Sequence, residues 1–353
     1  MKTVYINSAS SISAQHTFDN SEFLEDVIVF DETVFPVVNP NYKEFISPAA
    51  ARRMAKGVKM ASVASKLALN EADLKNVDAI ITGTGMGCVR DSEKFVSAII
   101  DNNELYLTPT SFIQSTHNTV GGQIALDINC KGYNFTYVHS SVSFESALLD
   151  AKLMLACNEA TNILIGGVDE LGEHTIKTHR LINHIKQESI RSLELLNSKT
   201  KGAMFSEGAN FFILSNEQTE NTYAEVLSVK IYNTLTEHIS ELVKRFLNDN
   251  GLEISAVDVV VLGNNGDVSY DGVYTSLGQE VFSNTPQVYY KHLCGEFNTA
   301  SSFGFWLGAK ILKNQRIPKA VQLNTVVNNT IDYVLLYNQY KGENHSLTLL
   351  HRC

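Results

Sequence analysis

His139 and Ser141, in the stretch YVHSSVSFESALLDA (137–151), are a pair whose types and spacing could do chemistry. Residues two apart in an extended strand point to one face, so this would set an imidazole beside a hydroxyl, the makings of a serine nucleophile for acyl transfer. The plainer reading gives His139 a polar niche beside a turn, because strand spacing rarely delivers the oriented hydrogen bond a nucleophile needs. Lys291 and Glu296, five apart in KHLCGE (291–296), can meet across a helix start. A salt bridge is expected there rather than acid or base work, since a buried unpaired carboxylate is costly. His292 and His345 could each supply a displaced base, although surface or interface positions are the default expectation for both. The five cysteines (Cys88, Cys130, Cys157, Cys294, Cys353) have no CxxC or CxxH spacing, so neither a disulfide framework nor a zinc site is supported. Most should be buried, inert thiols. GTGMG (83–87) lacks the G-x-G-x-x-G spacing of a dinucleotide loop. No metal and no cofactor are expected.

The elements that must position these residues belong to a chain of 353 residues, 44% hydrophobic and 19% charged, which excludes disorder and fibrous classes. With 28 Lys plus Arg against 38 Asp plus Glu, the net charge of −10 repels phosphate backbones and anionic lipid. Nucleic acid is therefore not an expected partner. The sequence has neither a leader-like apolar core near its start nor a long apolar run, which points to a cytoplasmic protein with no membrane span. Arg52, Arg53, Lys56 and Lys59 form one basic stretch that could receive an acidic protein. A solvated helix face with Met54 and Met60 toward the core is the ordinary reading.

Short β-branched runs at 77–83, 160–167, 209–215, 224–233, 257–264 and 332–338 alternate with helical patterns at 48–69, 144–156, 239–249 and 301–312. That alternation argues for an α/β fold. Ser47 followed by Pro48 is a helix-start signal. Trp306 and the Phe303–Phe305 pair lie on an apolar helix and are expected in the core or at a dimer contact. NEADLKNVDAIITGTGMG (70–87) is similar to GLEISAVDVVVLGNNGD (251–267), with Val77-Asp78 and Val257-Asp258 set 180 residues apart. A Thr-Pro loop follows in each case (Thr108-Pro109, Thr285-Pro286). Two matches in the same order indicate an internal duplication.

Read in register, these segments resemble the β-ketoacyl synthases of the thiolase superfamily. RRMAKGVKMASVASKLAL (52–69) is similar to the family's Arg-Arg-Met helix, GTGMG to its first Gly turn, and TPTSFIQSTHNTVGGQIAL (108–126) to its Pro-x-x-Phe element. On that element His117 falls in a polar turn and reads as structural or interfacial. ILIGGVDE (163–170) and FSEGANFFIL (205–214) resemble its Gly-Gly and Gly-Glu-Gly strands. KHLCGEFNTASSFGF (291–305) and GENHSL (342–347) resemble its Lys-x-x-x-Gly-His helix start and closing loop. The resemblance implies a five-layered α-β-α-β-α fold of two duplicated halves, 1–220 and 221–353, usually dimeric, with the site where the halves meet. The chain is shorter than most relatives between Glu170 and Met204.

In that family an acyl chain on a cysteine is condensed with malonyl units delivered by acyl carrier protein, and two histidines assist decarboxylation. Counting back from Gly166 places Ser141 at the nucleophile position, and the two histidine positions read Asn265 and Glu296, with Lys291 retained. A serine hydroxyl is far from ionisation at neutral pH and needs a base. Asparagine cannot relay a proton, and a carboxylate would repel a malonyl carboxylate. The resemblance thus implies a chain-length-factor-like partner of an active ketosynthase in fatty-acid or polyketide-type (polyene) synthesis. Alternatives are an acyltransferase using Ser141, with His139, His292 or His345 as base, and a residual 3-oxoacyl-carrier-protein synthase using Cys157 or Cys130. Acyl carrier protein is the implied further partner, and a homodimer is the alternative to pairing with a ketosynthase.

Overall fold

The computed structural model describes residues 2–20 and 22–353. The strands are β1 (Tyr5–Ile12), β2 (Ala79–Gly83), β3 (Tyr133–Tyr137), β4 (Asn162–Asp169), β5 (Gly208–Ser215), β6 (Ala224–Tyr232), β7 (Val259–Leu262), β8 (Gln287–Tyr289), β9 (Tyr333–Tyr340) and β10 (Glu343–His351). The α-helices are α1 (Pro48–Ala51), α2 (Lys56–Glu71), α3 (Val89–Asp101), α4 (Pro109–Ser115), α5 (Thr119–Ile128), α6 (Ser143–Ala156), α7 (Glu173–Leu181), α8 (Ile239–Asp249), α9 (Gly272–Glu280), α10 (Lys291–Cys294) and α11 (Ser301–Asn314).

The strands pair in the order β3-β2-β4-β5-β1-β6-β10-β9-β7-β8. In the first half β2 runs parallel to β3 and β4, and β4, β5 and β1 are successively antiparallel. The second half repeats this pattern: β7 is parallel to β8 and β9, and β9, β10 and β6 are antiparallel. The internal similarity in the sequence is therefore a similarity of topology. The halves join where β1 meets β6, through Tyr5 opposite Glu225 and Ile6 opposite Ala224.

Five layers follow from which faces are apolar. The strands AIITG, GANFFILS and VVVL are buried throughout, as strands covered on both faces must be. One outer layer is α2 with α5 against the first half of the sheet; the other is α8 with α9 against the second. On α8 the buried residues Ile239, Leu242, Val243, Phe246 and Leu247 make one helical stripe. Between the sheet halves lie α6 and α11, which share the largest core cluster. Residues 301–312 of α11 are all buried, as suits a central helix. Phe305 packs edge-on to Phe144 and Phe212 at 5.4 and 4.9 Å, and Trp306 tilts against Phe303 at 5.1 Å, so all three α11 aromatics are core.

The structure corrects several expectations. The helix read over 48–69 is broken: α1 ends at Ala51 and α2 begins at Lys56, with Ala55 extended and its N–H donated to Gln114 Oε1 at 3.0 Å. Arg52 and Arg53 lie in that break, whereas Lys56 is tied to Glu207. Of the cysteines only Cys88 and Cys294 are buried; Cys130 is half-buried, and Cys157 and Cys353 are exposed. His292 and His345, expected at a surface or interface, are both buried. Strand β3 is an edge, with Tyr133, Phe135 and the following Val138 exposed. Among the described residues no helix is long and apolar enough to cross a membrane.

Candidate functional site

The elbow after β3 is built by local chemistry. Ser140 takes φ +49°, a left-handed conformation that costs a non-glycine residue about 1 kcal/mol. Its carbonyl accepts a bond from Ser143 Oγ, which in turn accepts the His139 N–H, both at 2.7 Å. A single 3-10 turn, Ser140–Val142, leads into α6. Ser141 is thereby turned inward, 3% exposed, and its Oγ has no hydrogen-bond partner among the described residues. His139 faces solvent. The same-face expectation for the pair fails because the chain is no longer extended between them.

Asn265 stands in the turn between β7 and α9. The Asp271 carboxylate accepts its N–H at 3.2 Å and that of Gly266 at 2.7 Å. Burial pushes Asp271 up to about 6, although those two N–H bonds oppose the shift. The Asn265 side-chain amide donates to Glu296 Oε2 at 2.7 Å, and Lys291 Nζ donates to the same oxygen at 2.9 Å. Lys291 and Glu296 are both buried, so the pair is held in a medium where each needs the other. Glu296 itself is fixed by backbone bonds on either side, its N–H to Met204 O at 2.7 Å and its carbonyl to Ser206 N–H at 3.2 Å. The fold thus gathers Asn265, Glu296 and Lys291 into one bonded cluster. Ser141 and His139 are not bonded to it.

The other candidate bases are held within the fold, although the Nδ1 of His292 is buried with no hydrogen-bond partner among the described residues. The His292 ring stacks on Tyr289 at 3.8 Å and its Nε2 bonds Ala320 O at 2.8 Å. Burial pushes His292 down to about 4. His345 spans Tyr337 Oη at 2.9 Å and Gly342 O at 3.1 Å. His117 is exposed, with its backbone against Gly87.

Sequence reasoning missed several residues that shape the site. A cavity of about 50 Å3 is lined by Met86, Asp169, His179, Phe205, Glu296, Phe297, Asn298 and Tyr340, among others, but not by Ser141. Asp169 closes its floor, accepting from Thr84 Oγ1 (3.0 Å), Gly85 N–H (2.8 Å), and both Thr299 N–H and Oγ1 (2.8 Å each). That carboxylate braces the first half to the second. Asn298 lies on Gly85 so closely that a Cβ there would sit 2.1 Å from the carboxamide, and it accepts from Ser140 Oγ at 3.5 Å. The space beside the elbow is thus taken by the chain itself. His179, from α7, contributes an imidazole whose Nδ1 lies 3.1 Å from that of His184. Burial, reinforced by His184 and Lys341, pushes His179 down to about 4, so it is neutral and a weak base. Only the Gly-Gly-x-Asp string hinted at Asp169; nothing local marks His179, while Asn298 lies two residues after Glu296 in the 291–305 segment without having been singled out.

Residues 34–180 match the family model of the β-ketoacyl synthase N-terminal domain. The 3-oxoacyl-[acyl-carrier-protein] synthase 2 of Synechocystis sp. is 24% identical over 199 residues, 54% of this chain and 47% of that protein. The alignment thus spans about half the length of that relative. The ishigamide ketosynthase/chain length factor superposes over 100% of this chain and 99% of its own, with a TM-score of 0.79 at 16% identity. A β-ketoacyl synthase from Burkholderia phymatum covers 100% of both chains, with a TM-score of 0.78 at 15% identity. A ketosynthase in complex with its chain length factor from Xenorhabdus doucetiae gives 0.76 at 13% identity, covering 100% of this chain and 98% of that one. The chain is similar to the β-ketoacyl synthases over residues 34–180 and shares the thiolase-like fold of these solved structures along its length.

Proposed function

We propose that this chain is a non-condensing, chain-length-factor-type partner of an active ketosynthase in fatty-acid or polyketide-type synthesis, cytoplasmic and served by acyl carrier protein. The observation that carries the reading is the state of the three positions where the family keeps its chemistry. Ser141 has a buried hydroxyl with no partner, and no imidazole or carboxylate is bonded to it to take its proton. Glu296 is committed to Lys291 and Asn265, so its charge is spent on structure. A partner subunit needs the fold and a docking face rather than a nucleophile. The exposed edge of β3, with Phe135 and its apolar neighbours, supports such a face, because unpaired edges and apolar patches seek cover. We keep the division into halves at 220/221, with the acyl tunnel shaped where they meet.

The test is co-expression with a ketosynthase from the same genome, followed by light scattering with mass analysis. One copy of each chain per particle is expected. A chain that stays alone or pairs only with itself would overturn the proposal. Incubation with acyl carrier protein thioesters decides against the acyltransferase: no mass increase on Ser141 is expected, and one that vanishes in Ser141→Ala would install that enzyme instead.

A further inference from the structure

Asn265, Glu296 and Lys291 carry an electrophile, a proton carrier and a nucleophile. One oxygen, Glu296 Oε2, accepts both the Asn265 carboxamide N–H at 2.7 Å and the Lys291 ammonium at 2.9 Å. The amine and the amide are therefore neighbours on a single carboxylate. The other end of the carboxamide is engaged as well, since the Asp267 N–H donates to Asn265 Oδ1 at 3.1 Å. A donor on that oxygen draws electron density from the amide carbon and is placed to stabilise the oxyanion that forms on attack. With Nδ2 on a carboxylate and Oδ1 on an N–H, the carboxamide is held in one orientation. Lys291 and Glu296 are 2% and 3% exposed, so the amine is shielded from water, while Asn265 is half-buried.

We propose that Lys291 and Asn265 join in an intramolecular amide bond, with Glu296 carrying the protons. Lys291 Nζ gives a proton to Glu296 Oε2 and becomes a neutral nucleophile. Its lone pair attacks Asn265 Cγ, closing to roughly 3 Å from its place on the shared oxygen. The Nζ–Cγ bond forms and the Cγ–Nδ2 bond breaks. Glu296 hands its proton to Nδ2 and takes a second one from Nζ, so the nitrogen leaves as ammonia and Glu296 ends as a neutral acid. A buried ion pair is thereby exchanged for uncharged groups, which ends the cost of holding two charges out of water. Asn265 is only half-buried and Glu296 lines the cavity of about 50 Å3, so ammonia has a way out. The bond ties the turn after β7 to the start of α10 and closes a loop that restricts the unfolded chain.

Peptide mapping of the full chain by mass spectrometry, fresh and after a week at ambient temperature, tests this. A glutamate-specific protease cuts after Glu253, Glu280 and Glu296, so Asn265 and Lys291 fall in separate peptides. One branched peptide joining the two is expected, lighter than its parts by one ammonia. Glu296→Gln and Lys291→Met should each keep the full mass and give linear peptides only. Asn265 precedes Gly266, and cyclisation onto the Gly266 nitrogen sheds the same ammonia, but it leaves a linear peptide and persists in Lys291→Met. A deficit of that kind, linear peptides alone in the parent at both ages, or a branched peptide from Glu296→Gln would each overturn the proposal. The parent's map decides the bond even where a variant fails to fold. It reads a covalent link within this chain and so stands apart from pairing with a ketosynthase.

Discussion

Asp78 and Asp258, 180 positions apart, clamp equivalent strands in the same way. Asp78 Oδ2 accepts the N–H groups of Thr161 and Asn162 at 2.8 and 3.0 Å; Asp258 Oδ2 accepts those of Asp332 and Tyr333 at 2.7 and 2.9 Å. Each carboxylate precedes an inner parallel strand and fixes the start of the next. Alanine at Asp258 should cost about 2 kcal/mol, and at the exposed Asp78 about 1 kcal/mol, because water replaces its bonds more readily. Urea denaturation of the two variants and their double should give additive losses. A large coupling would mean that the clamps are not independent.

Glu296→Ala strands the Lys291 ammonium without its counter-charge and should cost about 3–5 kcal/mol. Lys291→Met combined with Glu296→Gln removes both charges and should recover most of that loss. A double-mutant cycle by chemical denaturation measures the coupling, and a value near zero would show the pair to be energetically idle.

Ser141→Ala deletes a buried hydroxyl that has no partner, so it should raise stability by about 1 kcal/mol. A lower melting temperature would reveal a hydrogen bond to that oxygen. Complex formation with the ketosynthase should not change.

Acid sensitivity has a defined source in His292. Its folded value of about 4 lies below the ordinary 6.5, so below 6.5 the unfolded chain binds the extra proton. The stabilisation is full above 6.5 and is lost as pH falls toward 4, by about 3 kcal/mol in all. His179, pushed the same way, adds to the loss. Asp271, raised to about 6 from 3.8, acts oppositely and favours the fold as pH drops through that range. His292→Phe keeps a ring against Tyr289 while removing the proton site. Its stability should fall less steeply with acid than the parent's in denaturant melts taken across this window, and an unchanged slope would remove His292 as the source.

The sequence read most clearly where physics is local. Apolar runs and helical stripes located β5, β6, α8 and α11 within a few residues, and the repeated Val-Asp before two strands foretold the matched topologies. Strand β1, YINSASSI, went unread because its serines hide a strand that is buried along nearly its whole length by tertiary contacts alone. Within the site, Lys291 and Glu296 were legible as a pair because their spacing is short. His139 misled because one left-handed residue, Ser140, cancels the strand geometry its spacing assumed. His179 reaches the site from a distant segment that no nearby signal marks, whereas Asn298 lies two residues after Glu296 and was passed over because its amide carries no reactive chemistry.

The meeting of β1 with β6 joins two half-sheets of matched topology into one sheet. The central core cluster draws on both sides of that seam, with Ala147 and Leu148 of α6 beside Leu307 and Ile311 of α11. A chain cut in the loop between β5 and β6 would give two fragments, each baring the apolar face that the other covers. Neither fragment should dissolve or fold alone, while the two produced together should reassemble. One unfolding transition by calorimetry is therefore expected, and two separate transitions would show that each half holds together without the other.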